Sequence, residues 1–235
     1  MKFCFSATPQ ACVPIAGSEQ AFPVHRIYCV GRNYEEHARE MGAAGREAPF
    51  FFAKPADAVL PAGPEPILIP YPDQTSDLQH EIELVVAIGA PGYRVTISEA
   101  AHLIWGFAVG IDLTRRDLQA QMKRQGRPWE VGKSFDRSAP IGPILSIGEV
   151  GVLGARRIWL SVNGQMRQDS ELSRMIWDVE ETIGQLSRFF ELCPGDLIFT
   201  GTPAGVGPLV PGDLIDSGID GIGTIRARIT DREPA

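Results

Sequence analysis

Three acidic residues in two apolar stretches are where chemistry is easiest to read in this sequence. Glu81 and Glu83 stand two apart in DLQHEIELVVAIG, and on a strand that spacing turns both carboxylates to one face while Ile82 and Leu84 take the other. The pair runs straight into LVVAI, apolar enough to be buried on both faces, where two carboxylates repel unless a cation lies between them. Asp112 closes a second apolar run, GFAVGID, and adds a third oxygen donor. Three hard oxygen ligands, with no Cys or paired His beside them, favour Mg²⁺, Mn²⁺ or Ca²⁺ over Zn²⁺. A Glu-x-Glu outside such a context is ordinarily the solvated face of an edge strand.

Other groups acquire meaning beside that trio. His37 and Glu40, at i and i+3, share a helix face on which the carboxylate would orient the imidazole and raise its basicity; the bland alternative is a solvated surface pair. Lys133, in WEVGKSFD, sits among small and apolar residues, where a buried ammonium needs anionic partners, although a Lys there could also snorkel to solvent. The Gly-rich TGTPAGVG lacks the GK[ST] ending and following helix of a nucleotide loop. Its backbone N–H groups and the hydroxyls of Thr200 and Thr202 could still receive a carboxylate, as could Arg32 and Arg116; a plain Gly-rich turn fits the same residues.

Strands must position most of these side chains. Short β segments are expected at 26–30, 50–53, 67–69, 81–88 and 106–111, and a hairpin at 158–168 around Asn163-Gly164. Helices are expected at 33–41 with Asn33 as N-cap, Glu36 completing a capping box and Gly42 as the stop, and at 98–103, 114–124 and 179–190. The string PGDLI occurs twice, from Pro194 and Pro211, as a turn feeding a strand. Residues 1–24, punctuated by Pro and Gly, read as an extended arm preceding one unit over 25–235.

Composition bounds the partners. The chain has 235 residues and a formal net charge of -7, which argues against a phosphate backbone as ligand. No apolar run approaches the roughly 20 residues of a spanning helix, and polar residues interrupt the N-terminal stretch that a signal peptide would need. Four scattered Cys without CxxC spacing suit free thiols in a reducing compartment, so a cytoplasmic location is expected.

Seven blocks in order, VGRNYEEHAREMG, PFFFAKPADAV, HEIELVVAIG, GFAVGIDLTRRDLQ, GRPWEVGKSFD, VNGQMRQDS and PGDLIFTGTPAGVGP, closely resemble the fumarylacetoacetate hydrolase family. That resemblance implies an α+β, mostly β fold, a mixed β-roll or sandwich with short flanking helices, commonly a homodimer. It implies Mg²⁺ or Mn²⁺ on Glu81, Glu83 and Asp112, and His37 and Glu40 as a water-activating dyad. Lys133 and Gln119 become groups that polarise a substrate oxygen, with Arg116 and Thr202 as substrate contacts. The His37–Glu40 spacing matches the short acylpyruvase and oxaloacetate decarboxylase branch. The expected activity is hydrolysis of an acylpyruvate, fumarylpyruvate foremost, as in aromatic degradation of the gentisate type. Oxaloacetate decarboxylation, a 2-hydroxymuconate-type isomerisation or decarboxylation, and a non-catalytic small-acid-binding module are the alternatives.

Overall fold

The computed structural model describes residues 2–36 and 46–232. Strands dominate, and helices are short, as the resemblance implied. An eight-stranded mixed sheet holds the site. Its central strands, Ile82–Ile88 and Ile104–Ile111, pair antiparallel with Glu83 opposite Gly110. Leu197–Phe199 lies between Ile82–Ile88 and Ile27–Gly31, antiparallel to the first and parallel to the second, and Phe50–Lys54 flanks Ile27–Gly31. A five-stranded sheet carries the hairpin Arg157–Val162 and Gln165–Glu171 and the strands Leu214–Ile219, Gly223–Thr230 and Ile67–Pro70.

Every residue of Ile82–Ile88 is buried, which explains its unbroken apolar run. Alternation sends Leu84, Val86 and Ile88 into the larger core with Ile158, Leu160 and Ile225, and Val85 and Ala87 into a smaller one with Cys29, Ala108 and Phe199. Val13 and Phe22, from the short antiparallel pair Cys12–Pro14 and Ala21–Pro23, close that smaller core. Glu83 continues the Ala87–Val85 face, so the carboxylates stand at the end of the smaller core.

Several local expectations shift. The strand foreseen at 81–88 begins at Ile82; Leu78–His80 is a separate strand before it, and Glu81 lies at the break between them. The helix foreseen from Thr114 begins at Arg116, because Thr114 and Arg115 pair with Gln79 and Leu78 first. Helix Val179–Leu186 stops before Phe190, and Asp178 with Glu181 forms its capping box. Asn33, expected to cap a helix most of which lies outside the described residues, is fully buried, donates to the carbonyls of Trp177 (2.9 Å) and Thr200 (2.8 Å), and accepts from Trp177 N (2.8 Å). The expected stop at Gly42 lies outside the described residues. Both PGD strings build the same turn, in which Asp196 and Asp213 each accept from the backbone N–H three residues earlier, at 2.8 Å.

Candidate metal and substrate site

Glu81, Glu83 and Asp112 converge. One carboxylate oxygen from each lies within 4.8 Å of the others, and all three residues are buried. The break at Glu81, the strand register and the end of Ile104–Ile111 bring them together, since Asp112 N donates to Glu81 O (2.8 Å) across the mouth of the sheet. Burial first, then Asp112 and Glu81, drives the Glu83 carboxyl well above the usual carboxylate range. Glu83 is thus the member of the trio whose charge is held least well, and a divalent cation bound there would relieve it.

Cations of the chain share the work. Lys133, on the short helix Glu130–Lys133, donates to Glu81 Oε2 (2.8 Å) and Asp112 Oδ2 (2.6 Å). Burial alone would lower its pKa, but Asp112 and Glu81 outweigh burial and the net direction is up, so Lys133 acts as a fixed positive charge rather than a base. Arg116 donates to Glu81 Oε1, to Gln79 Oε1 (2.8 Å) and to Gln119 Oε1 (2.6 Å). Holding Gln119 by its oxygen leaves the amide nitrogen as the end that can donate to a ligand.

Lys54 was not foreseen. Its ammonium is buried and bonds to the carbonyl of Lys133 and to Ser138 Oγ (3.1 Å). It also approaches Asp112 Oδ1 to 2.8 Å, at angles that leave that oxygen without a hydrogen bond and with a lone pair open to a cation. Period two along Phe50–Lys54 was the available signal, because Phe50 and Phe52 line the site and Lys54 is next on their face. Gln168 also went unread. It accepts from His80 Nδ1 (2.9 Å) and Ile82 N (3.1 Å) and donates to Thr202 Oγ1 (2.8 Å) and Pro203 O (2.8 Å), tying the residues on both sides of Glu81 to the TGTPAGVG loop.

That loop meets the carboxylates through its backbone. Gly201 N donates to Glu83 Oε2 (2.7 Å) from a φ of +93°, and a Cβ there would approach that of Asn33 to 2.7 Å, so glycine is required. The hydroxyls of Thr200 and Thr202, read as possible carboxylate donors, give their protons to Leu84 O (2.9 Å) and Ile82 O (2.7 Å) instead. Arg32, Phe50, Phe52, Glu81, Glu83, Arg116, Gln119, Trp129, Lys133 and Thr202 all border one cavity. His37 and Glu40 lie outside the described residues. The donor set fits a Mg²⁺ or Mn²⁺ ion: three buried carboxylates, one with an open lone pair, and no soft ligand among them. A second candidate group among the described residues, His25, Cys193 and Asp196, is organised differently, because Arg26 takes both Asp196 oxygens at 3.0 and 2.8 Å. No helix among the described residues is long and apolar enough to cross a membrane.

Comparison with known proteins agrees with this geometry. The family described as Fumarylacetoacetate (FAA) hydrolase C-terminal matches residues 26–230. A fumarylpyruvate hydrolase from Pseudomonas aeruginosa, crystallised in complex with Mn²⁺ and pyruvate, superposes with a TM-score of 0.97 at 50% identity, covering 98% of this chain and all of that one. A fumarylpyruvate hydrolase of Ralstonia sp is 43% identical over 179 residues, 76% of this chain and 91% of that protein. A mitochondrial oxaloacetate decarboxylase of Dictyostelium discoideum is 40% identical over 199 residues, 85% of this chain and 90% of that one.

Proposed function

Since the chain belongs to the fumarylacetoacetate hydrolase family, we propose that it is a Mg²⁺- or Mn²⁺-dependent enzyme that hydrolyses the carbon–carbon bond of an acylpyruvate, fumarylpyruvate giving fumarate and pyruvate. The observation that carries this reading is the buried Glu81, Glu83 and Asp112 trio with Lys133 held against two of its members. A bound divalent ion would supply Lewis acidity and a template for the two oxygens of a 2-oxo acid.

The chain's residues then divide the remaining work. His37, oriented by Glu40, takes a proton from water, and the hydroxide equivalent attacks the carbonyl distal to the pyruvate unit. The bond between that carbonyl carbon and the pyruvate methylene breaks, its electron pair stays with the pyruvate fragment as an enolate, and the acyl carbon leaves as a carboxylic acid. Lys133, kept charged by Asp112 and Glu81, and the amide nitrogen of Gln119, presented by Arg116, stabilise oxygen as negative charge develops. Thr202 contributes by its place in the cavity wall, its hydroxyl proton being spent on Ile82 O.

Oxaloacetate decarboxylation is the second reading, favoured by the Dictyostelium relative; it uses the same 2-oxo acid head and needs no attacking water. The test follows absorbance of fumarylpyruvate, acetylpyruvate and oxaloacetate in parallel, with Mn²⁺ and with a chelator. Metal-dependent release of pyruvate and fumarate, reduced by about 10² to 10⁴ in His37→Ala, supports the hydrolase. Turnover of oxaloacetate alone, insensitive to that substitution, selects the decarboxylase.

A further inference from the structure

Among the described residues, four cationic side chains stand in or beside the cavity, and three have anionic work to do. Lys133 and Arg116 hold Glu81, and Lys54 faces Asp112. Arg32 is different. No carboxylate pairs with it among the described residues, and its Nε is buried without a hydrogen-bond partner. Its backbone sits at a φ of +59°, the left-handed region that costs a non-glycine residue about 1 kcal/mol. Anchors on either side maintain that conformation: Gly31 pairs with Phe50, Asn33 is tied to Trp177 and Thr200, and Tyr34 bridges to Met175. A cation held in a strained conformation and left without an anion marks a place where an anion is supplied from outside.

The cavity wall beside Arg32 is aromatic. The guanidinium carbon lies 5.7 Å from the centroid of Phe50, which packs edge-on against Trp129 at 5.3 Å, and Phe52 contacts Trp129 at 6.0 Å. The Phe50 ring lies over Gly31 so closely that a Cβ there would meet it at 1.9 Å, which fixes the wall relative to Arg32. Glu81, Glu83 and Lys133 line the same cavity as Arg32 and this wall, and Phe52 joins them, its ring centroid 5.2 Å from the Lys133 ammonium. A flat unsaturated arm ending in a carboxylate suits an aromatic wall beside an unpaired guanidinium.

We propose that Arg32 selects acylpyruvates whose acyl arm ends in a second carboxylate, pairing with that distal group while Phe50, Phe52 and Trp129 cover the arm between. The inference rests on the acylpyruvate reading above and specifies the substrate class of the same site. It separates Arg32 from Arg116, whose nitrogens each already meet a protein acceptor.

The test compares kcat/KM for fumarylpyruvate and acetylpyruvate in the Mn²⁺-loaded wild type, Arg32→Gln and Arg32→Lys. The fumarylpyruvate-to-acetylpyruvate ratio should fall about 10- to 100-fold in Arg32→Gln, with part of it retained in Arg32→Lys. An equal fall for both substrates would place Arg32 on the common head or in the scaffold, and no change would remove it from substrate contact; either result overturns the proposal. Fumarate binding, followed by titration calorimetry on the same proteins, reads the contact without turnover. A wild type that turns over neither acylpyruvate would sink the functional reading, and fumarate affinity that is equal in wild type and Arg32→Gln would sink the Arg32 assignment.

Discussion

Replacing Gln168 by Met removes one fully buried amide and keeps nearly the same shape. Four hydrogen bonds go with it, and the consequences are unequal. Pro203 O and Thr202 Oγ1 lose a donor, but the Thr202 hydroxyl keeps its own bond to Ile82 O. His80 Nδ1 must carry the proton that Gln168 Oε1 accepts, so the substitution strands that N–H and the Ile82 N–H together in the interior. Each stranded donor costs about 1 to 3 kcal/mol, so a loss near 4 kcal/mol is expected, a large part of the roughly 5 to 15 kcal/mol that holds a domain together. For a chain of this size that corresponds to a fall in Tm of about 10 °C, measured by circular dichroism in the presence of chelator. Because the two donors flank Glu81, Mn²⁺ affinity by calorimetry should also drop about 10- to 100-fold, the usual effect of removing a group that orients a ligand. A variant melting within about 2 °C of wild type and binding Mn²⁺ equally would refute the reasoning.

Two further substitutions probe the charges. In chelator, Glu83→Gln should be more stable than wild type at neutral pH by about 1 to 3 kcal/mol, since a neutral amide can still accept from Gly201 N without the burial and repulsion that raise the Glu83 pKa. A raised carboxyl pKa gives stability that is complete at acid pH and lost as pH rises through the folded-state value, so the metal-free wild type should weaken over that rise and the variant should not. At Mn²⁺ 100-fold above its Kd, wild type should recover about 2.7 kcal/mol and Glu83→Gln much less; equal recovery would refute the ligand role. Lys54→Met should cost about 2 to 3 kcal/mol in chemical denaturation, because it removes one of the two ammonium groups that face the buried Asp112 carboxylate and leaves only Lys133 on it; a midpoint unchanged from wild type would show that Lys54 does not balance that charge.

The sequence made the carboxylate trio legible because each member adjoins an apolar run whose burial follows from composition. The Asn163-Gly164 hairpin was legible for local reasons, since turn chemistry is carried by a few adjacent residues, whereas the cap that Asp178 and Glu181 give the helix from Val179 went unread. What stayed hidden was long-range. Gln168 reaches His80 across 88 residues of sequence, and Asn33 reaches Trp177 across 144, so nothing in either neighbourhood announces the partner. Lys54 was half legible, its face given by alternation with Phe50 and Phe52 and its partner only by the fold. Glu81 was correctly linked to Glu83, but the strand break that places it depends on Thr114 and Arg115 pairing with Gln79 and Leu78.

Leu197–Phe199, at the middle of the large sheet, leaves the ribosome long after the two strands it separates. Until it arrives, Ile82–Ile88 has one apolar edge unpaired and Ile27–Gly31 lacks its inner neighbour, so the nascent chain carries open, adhesive strand edges through most of its synthesis. The loop that follows brings Gly201 to Glu83, which means the acidic pocket gains one of its neutralising donors only after the chain has been made well past all three carboxylates. Assembly of the site is thus a late event in the life of the molecule, set by where one three-residue strand falls in the gene.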